Sequence, residues 1–200
     1  MRKNAVMILA WLAAGAAFGG AADRQVFLRV NPVAGETKTQ KSGGHGRGIL
    51  GLSSLKNNNT TKSITRNMCW NCELRFRGRP RPEKTELKVF YIGYEGKDMK
   101  PKILGREIKP VVFDESGKAQ VELKSPTVTQ TKSKTSGGGT GNGRIAKTKS
   151  MVKGQRIEGC VVQLWIDGKL LKSHATQSGW ERAAKNEAFS EALLSSSNRL

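Results

Sequence analysis

Acidic residues are scarce in this chain and missing altogether from two long stretches. Sixteen Asp and Glu stand against 35 Lys and Arg, a formal charge of +19 at pH 7. No acid lies between Glu36 and Glu73, where Lys38, Lys41, Arg47, Lys56, Lys62 and Arg66 occur. None lies between Glu122 and Glu158, which enclose Lys124, Lys132, Lys134, Arg144, Lys147, Lys149, Lys153 and Arg156. Such an imbalance draws polyanions and anionic membrane surfaces in a salt-dependent way and is silent about fold. Histidine is nearly absent too, and neither His45 nor His174 has a metal-ligand companion at useful spacing. A zinc site from Cys69, Cys72, Cys160 and a histidine exists on counting alone, but thiolate sites favour compartments where thiols stay reduced. No GxSxG elbow occurs. Glu73, Glu83, Glu86, Asp114, Glu115 and Asp167 fall on outward faces or in turns, and nothing selects a pair for acid–base work. The expectation is a noncatalytic protein without cofactor or metal site, with an enzyme of unknown class as the minority alternative.

What is present begins with "MRKNAVMILAWLAAGAAFGGAA": two cations, an apolar run from Ala5 to Phe18, then small residues up to Ala22. This is the pattern of a secretory signal peptide, residues 1–22. Its apolar run is shorter than the ~20 residues a membrane helix needs, and nothing after Phe18 is apolar enough to span a bilayer. An uncleaved N-terminal anchor is the rival. Cleavage removes Arg2 and Lys3 and no acid, which leaves 178 residues at +17, enough for one domain. The sequence thus predicts an exported protein, periplasmic, outer-envelope associated or extracellular.

Three cysteines follow, an odd count. "CWNC" at Cys69–Cys72 has thioredoxin-like spacing, but its neighbours alternate like a strand, whereas a low-pKa redox thiol sits at a helix start. Met68, Trp70, Cys72, Leu74 and Phe76 form one apolar face of period two. "LKVFYIGY" (Leu87 to Tyr94) reads as a second strand, expected to pair with the first as a hairpin-like unit. Arg106–Phe113 and Ala119–Lys124 supply two more, with Pro110 marking an edge or a strand start. "GCVVQLWIDGKLLKSHAT" is a hairpin turning at Asp167-Gly168. Gln25–Val30 adds a short N-terminal strand (domain segment 23–30). Ser178 with Glu181 fits a capping box before an amphipathic helix from about Trp180 to Leu194, inside a C-terminal segment 178–200.

Two polar Gly-rich stretches separate these elements, and both are expected to be flexible: residues 31–62, and an insertion around 132–150. Gly46 to Gly51 fits GxGxxG, and Gly138 with Gly143 has P-loop spacing, but Arg144 and Ile145 replace the required Lys and Ser or Thr. Neither has the strand that those motifs require. The expected fold is mainly β: an immunoglobulin-like antiparallel β-sandwich over residues 63–176 with a C-terminal helix. Cys72 and Cys160 both point inward in this reading, either as a disulfide or as two reduced core residues, with Cys69 outside.

From about Arg66 to Thr176 the order of elements resembles a loosely defined group of exported proteins of Verrucomicrobia type. The likeness rests on the strand with a central tryptophan, on "VFYIG" and on "GCVVQLWIDGKLLKSHA". It implies an immunoglobulin-like sandwich and export, and no activity, cofactor or catalytic residue.

The densest local basic cluster is Arg75, Arg77, Arg79, Arg81 and Lys84, around an Arg77-Gly78-Arg79-Pro80 core that resembles an AT-hook. AT-hooks place a flexible RGR core in the minor groove of AT-rich DNA. Export and the strand end at Arg77 favour a Pro-stiffened turn instead. The functional expectation is a module whose basic loops touch an acidic polysaccharide, anionic lipid head groups or extracellular DNA. The alternative is a structural component that docks a protein partner through a strand edge or the C-terminal helix.

Overall fold

Alternation in the Cys69–Phe76 segment survives into three dimensions as the wall of a core. The computed structural model describes residues 26–44, 58–78, 82–97, 100–136 and 148–197. Trp70, Cys72 and Leu74 are buried along this strand while Cys69, Asn71 and Glu73 are half-buried and Arg75 is exposed. The described strands are β1 (Val26–Val33), β2 (Thr37–Gly44), β3 (Asn58–Arg66), β4 (Cys69–Phe76), β5 (Thr85–Glu95), β6 (Lys102–Pro110), β7 (Lys118–Lys124), β8 (Val128–Ser136), β9 (Thr148–Ile166) and β10 (Lys169–Ala175). All pairings are antiparallel. One sheet runs β1-β4-β7; the other runs β2-β3-β8-β9-β5-β6, with β10 also on β9.

The two sheets face each other over one core. Val26, Val30, Trp70, Cys72, Leu74 and Leu123 come from the small sheet, and Leu87, Val89, Tyr91, Cys160, Val162 and Leu164 from the large one. Trp70 stacks on Tyr91 across the interface with ring centroids 5.9 Å apart. The protein is therefore mainly β, an antiparallel sandwich with a short helical C-terminus. The expected hairpin between β4 and β5 does not form: β4 pairs with β1 and β7, and β5 with β6 and β9. Their apolar faces meet across the sandwich, which buries more surface than edge pairing would. Pro110 does end an edge strand, β6.

Strands β5 and β9 are apolar on both faces, and the continuous runs "VFYI" and "GCVVQLWI" record it. Their outward residues Phe90, Ile92 and Val161 form a second cluster with Ala175, Trp180, Ala183, Ala184, Phe189 and Leu194. The C-terminal segment makes that cover, but not as one helix over 180–194. A 3-10 turn (Ser178–Trp180) leads into α1 (Glu181–Ala184), a break, and α2 (Glu191–Ser197). Two interactions cause the break. The fully buried Gln163 on β9 donates from Nε2 to Ala184 O at 2.9 Å and Asn186 O at 2.8 Å. Asn186 Oδ1 accepts the Ala188 amide at 2.9 Å, an Asn turn that competes with helix. The expected capping box is not made; the residue before the turn is Gln177, and no side chain caps it.

The two stretches expected to be flexible are partly ordered sheet. Residues 37–44 and 58–62 lie in β2 and β3, and residues 132–136 and 148–150 in β8 and β9. Low hydrophobicity argued for disorder. Backbone ladders across four neighbouring strands, and β9's continuation into the core, order them instead. Residues 45–57 and 137–147 lie outside the described residues, as do the signal segment 1–22 and its cleavage position.

Candidate functional site

Strand pairing gathers the scattered lysines of the acid-free stretches into one polar sector of the large sheet. It comprises β2, β3, β8 and the first part of β9, residues 148–154, and its sequence contains no Asp or Glu. Lys38, Lys41, Lys62, Lys132, Lys134, Lys149 and Lys153 are all exposed, and none makes an ion pair among the described residues. Elsewhere several cations have carboxylate partners. Arg156 Nε meets Glu158 at 2.9 Å, Lys102 Nζ meets Glu95 at 2.6 Å, and Lys109 Nζ meets Glu107 at 3.4 Å. Arg66, at the base of β3, is held by Ile157 O at 2.6 Å and Glu158 at 3.9 Å.

Register decides which face each lysine takes, because residues opposite one another on neighbouring strands share a face. Lys41 is opposite Lys62, Lys62 opposite Lys132, and Lys132 opposite Val152. Three ammonium groups therefore line one row across three strands about 4.8 Å apart, with Lys134 on the same face two residues along β8. Like charges so placed cost of order 0.5 kcal/mol per pair. The other face carries a hydroxyl block: Thr61 opposite Ser133, Ser63 opposite Thr131, Thr65 opposite Thr129. Ser63 Oγ and Thr131 Oγ1 are 3.2 Å apart, and Thr65 Oγ1 and Thr129 Oγ1 2.9 Å. Lys38, Lys149 and Lys153 share that second face but lie at its margins, on β2 and β9.

Gly154 joins the sector to the core. It has φ +87° and is the last β9 residue to pair with β8, while from Gln155 onward β9 pairs with β5. Its carbonyl accepts the Gly96 amide at 2.7 Å.

The RGRP cluster fares differently. Arg75 is exposed on the outer face of β4, and Arg77 is exposed beyond its end; Arg79 and Arg81 lie outside the described residues. The Phe76 amide donates to Gly117 O at 2.7 Å, which sets this strand end beside the turn that carries Asp114 and Glu115. Lys84 meets Glu86 at 3.1 Å, and its amide donates to Asp167 Oδ1 at 3.2 Å. Glu73, Arg75, Val112, Asp114, Lys118 and Gln120 line a shallow depression here. Charge of both signs lines it among the described residues, with Glu73 and Asp114 beside Arg75 and Lys118.

Cys69, Cys72 and Cys160 are all free thiols, with no bridge between Cys72 and Cys160. Both inner thiols are fully buried in the main core as small apolar groups, the other arrangement the sequence left open. Burial pushes the Cys72 thiol up to about 12, against a smaller opposing effect of Lys109. Cys160 is raised by burial and then by the neighbouring Cys72. Tyr91 donates its hydroxyl to Glu107 at 2.8 Å, and its pKa is raised, first by burial and then by that bond. These groups are inert packing elements as placed. Among the described residues, no three His, Cys, Asp or Glu side chains are placed to hold a metal ion, and no helix is long and apolar enough to cross a membrane. No protein-family model, curated protein or solved structure matches the chain.

Proposed function

We propose that the protein is an exported, noncatalytic β-sandwich module that captures an anionic polymer or surface through the polar sector of its large sheet. One observation carries this reading: seven exposed lysines without a single acid in a sector of four paired strand segments, whereas Lys84, Lys102, Lys109 and Arg156 elsewhere each stand beside a carboxylate. Such an array exchanges condensed counterions for lysine contacts when it meets a polyanion, so binding is strong at low salt and falls steeply as salt rises. The test is retention on a heparin column under a salt gradient. Replacing all seven lysines by Thr should move elution to far lower salt. Replacing Arg75, Arg77 and Lys84 by Ser should shift it little, because acids interleave with that cluster. Retention that survives loss of the seven lysines would refute the assignment.

A second reading has its own support. β2 ends the strand path of the large sheet, and its side chains from Thr37 to Gly43 are all exposed. An extended segment of a protein partner could add to that edge through backbone hydrogen bonds, and Lys38 and Lys41 would oppose self-pairing. Strand addition differs by its weak salt dependence. The C-terminal helices are a poorer dock, because Trp180, Ala183, Ala184 and Leu194 already cover the sheet.

A further inference from the structure

We infer that the lysine row Lys41–Lys62–Lys132, with Lys134, is a one-faced site for a single acidic polysaccharide chain; this rests on the polyanion reading above and names its face and ligand class. Both faces of the sector carry cations, but only one concentrates them. Three ammonium groups follow one another on adjacent strands, where the register sets them opposite each other, and the fourth lies one row away. On the opposite face the hydroxyl columns of β3 and β8 separate Lys38 from Lys149 and Lys153. A linear chain with an anionic group on each sugar can lay successive charges along the row at the ~4.8 Å strand spacing.

The residues around the row select among polyanions. The exposed Thr39, Thr60 and Ser150 share its face and offer hydroxyl groups to sugar hydroxyls. The sector contains no Phe, Tyr or Trp, so the bases of a single-stranded nucleic acid find no stacking platform there. Its one arginine, Arg66, is engaged by Ile157 and Glu158, which leaves lysine point charges and no free planar fork for bidentate phosphate or base-edge contacts. A flat row also meets a rigid duplex along only a short line, whereas a flexible chain conforms to it.

Two variants with equal loss of charge test this on the purified protein: Lys41→Thr/Lys62→Thr/Lys132→Thr, and Lys38→Thr/Lys149→Thr/Lys153→Thr. Thr keeps strand preference, so folding is retained, and melting temperature checks it; relief of like-charge crowding should raise that temperature in the row variant. Affinities are measured for heparin, alginate, a 30-base-pair duplex and oligo-dT over a salt series. The row variant should lose at least tenfold in affinity for heparin and alginate, and its slope of log K against log salt should shrink by about two. The marginal variant should lose less than threefold. Equal losses in the two variants would overturn the one-faced site while leaving polyanion capture standing. Tighter binding of duplex or oligo-dT than of either polysaccharide would overturn the ligand class. Failure of the unmodified protein to bind any of the four probes would remove the underlying reading itself.

Discussion

Replacing Gly154 by Ala should detach the lysine sector from the sandwich without unfolding the sandwich. At φ +87° an L side chain is strained, and a Cβ at this position would sit 2.1 Å from Thr129 O and 3.2 Å from its carbonyl carbon. That oxygen belongs to β8's backbone, so no side-chain rotation relieves the clash and β8 must move. Strain of about 1–3 kcal/mol, with some loss of the adjoining ladder, gives roughly 2–4 kcal/mol in total. The core can absorb this, but the sector has no apolar face and little local stability to spend. Hydrogen exchange read by mass spectrometry resolves the two. Amides in residues 128–136 and 148–153 should exchange at least about 30-fold faster, the equivalent of 2 kcal/mol. Those in β5 and residues 160–166 should be nearly unchanged. Gly168→Ala is the control, because its φ of +79° brings strain but its Cβ meets open space. Unchanged exchange in the sector, or uniform acceleration through the whole chain, would refute the claim that Gly154 is the joint.

Three other outcomes follow from named contacts. Gln163→Leu keeps the volume but strips hydrogen bonds from Ala184 O, Asn186 O and Trp165 Nε1. At about 1–3 kcal/mol for each buried group left unsatisfied, and less for the more exposed Asn186, the urea midpoint should fall by the equivalent of 2–4 kcal/mol, with a change in tryptophan fluorescence. In thiol titration of the native protein only Cys69 should react, since Cys72 and Cys160 are fully buried with raised pKa values; three thiols should appear in denaturant. A count of one in denaturant without reductant would mean that Cys72 and Cys160 are bridged. His174 has its pKa lowered by burial, against a smaller raising effect of Glu181. The folded state then binds protons less readily than the unfolded one, so stability should be full above pH 6.5 and decline as pH falls below it. His174→Gln should flatten that segment of the melting curve.

The core was legible because its signals are local. Period-two alternation marked β4, the Asp167-Gly168 turn marked β9 and β10, and Pro110 marked an edge, as positive φ at both turn residues and the strand path confirm. Partners were not legible. β4 and β5 are neighbours in sequence with compatible patterns, and nothing local distinguishes edge pairing from packing across the core. The C-terminal helix misled for a related reason: its apolar spacing was right, but Gln163, some twenty residues earlier, claims the carbonyls of its middle. Net basic character is legible in composition, but how lysines group in space is not. "RFRGRPR" is conspicuous in one dimension, and at its described flanks the turns at Gly117 and Asp167 stand beside Phe76 and Lys84. Lys41, Lys62 and Lys132 are separated by 21 and 70 positions, and only the pairing of β2, β3 and β8 makes them a row. No run of residues announces a site built by register.

That row is also where the sequence departs most from what stability alone would choose. A sheet with two polar faces has weakly specified register, and opposing lysines weaken it further. Thr opposite Thr on the other face, and the continuity of β9 through Gly154 into the core, hold the alignment in spite of it. Alternating Glu with Lys would have given cross-strand attraction in the same space, as Lys102 on β6 finds with Glu95 on β5. No acid lies in β2, β3, β8 or residues 148–154 of β9. A local rule broken at this row fits the function proposed for it. The repulsion among Lys41, Lys62 and Lys132 is relieved by the one thing that the fold does not supply, an external anion, and binding strength and sector stability should therefore rise together as salt is lowered in the presence of an acidic polysaccharide.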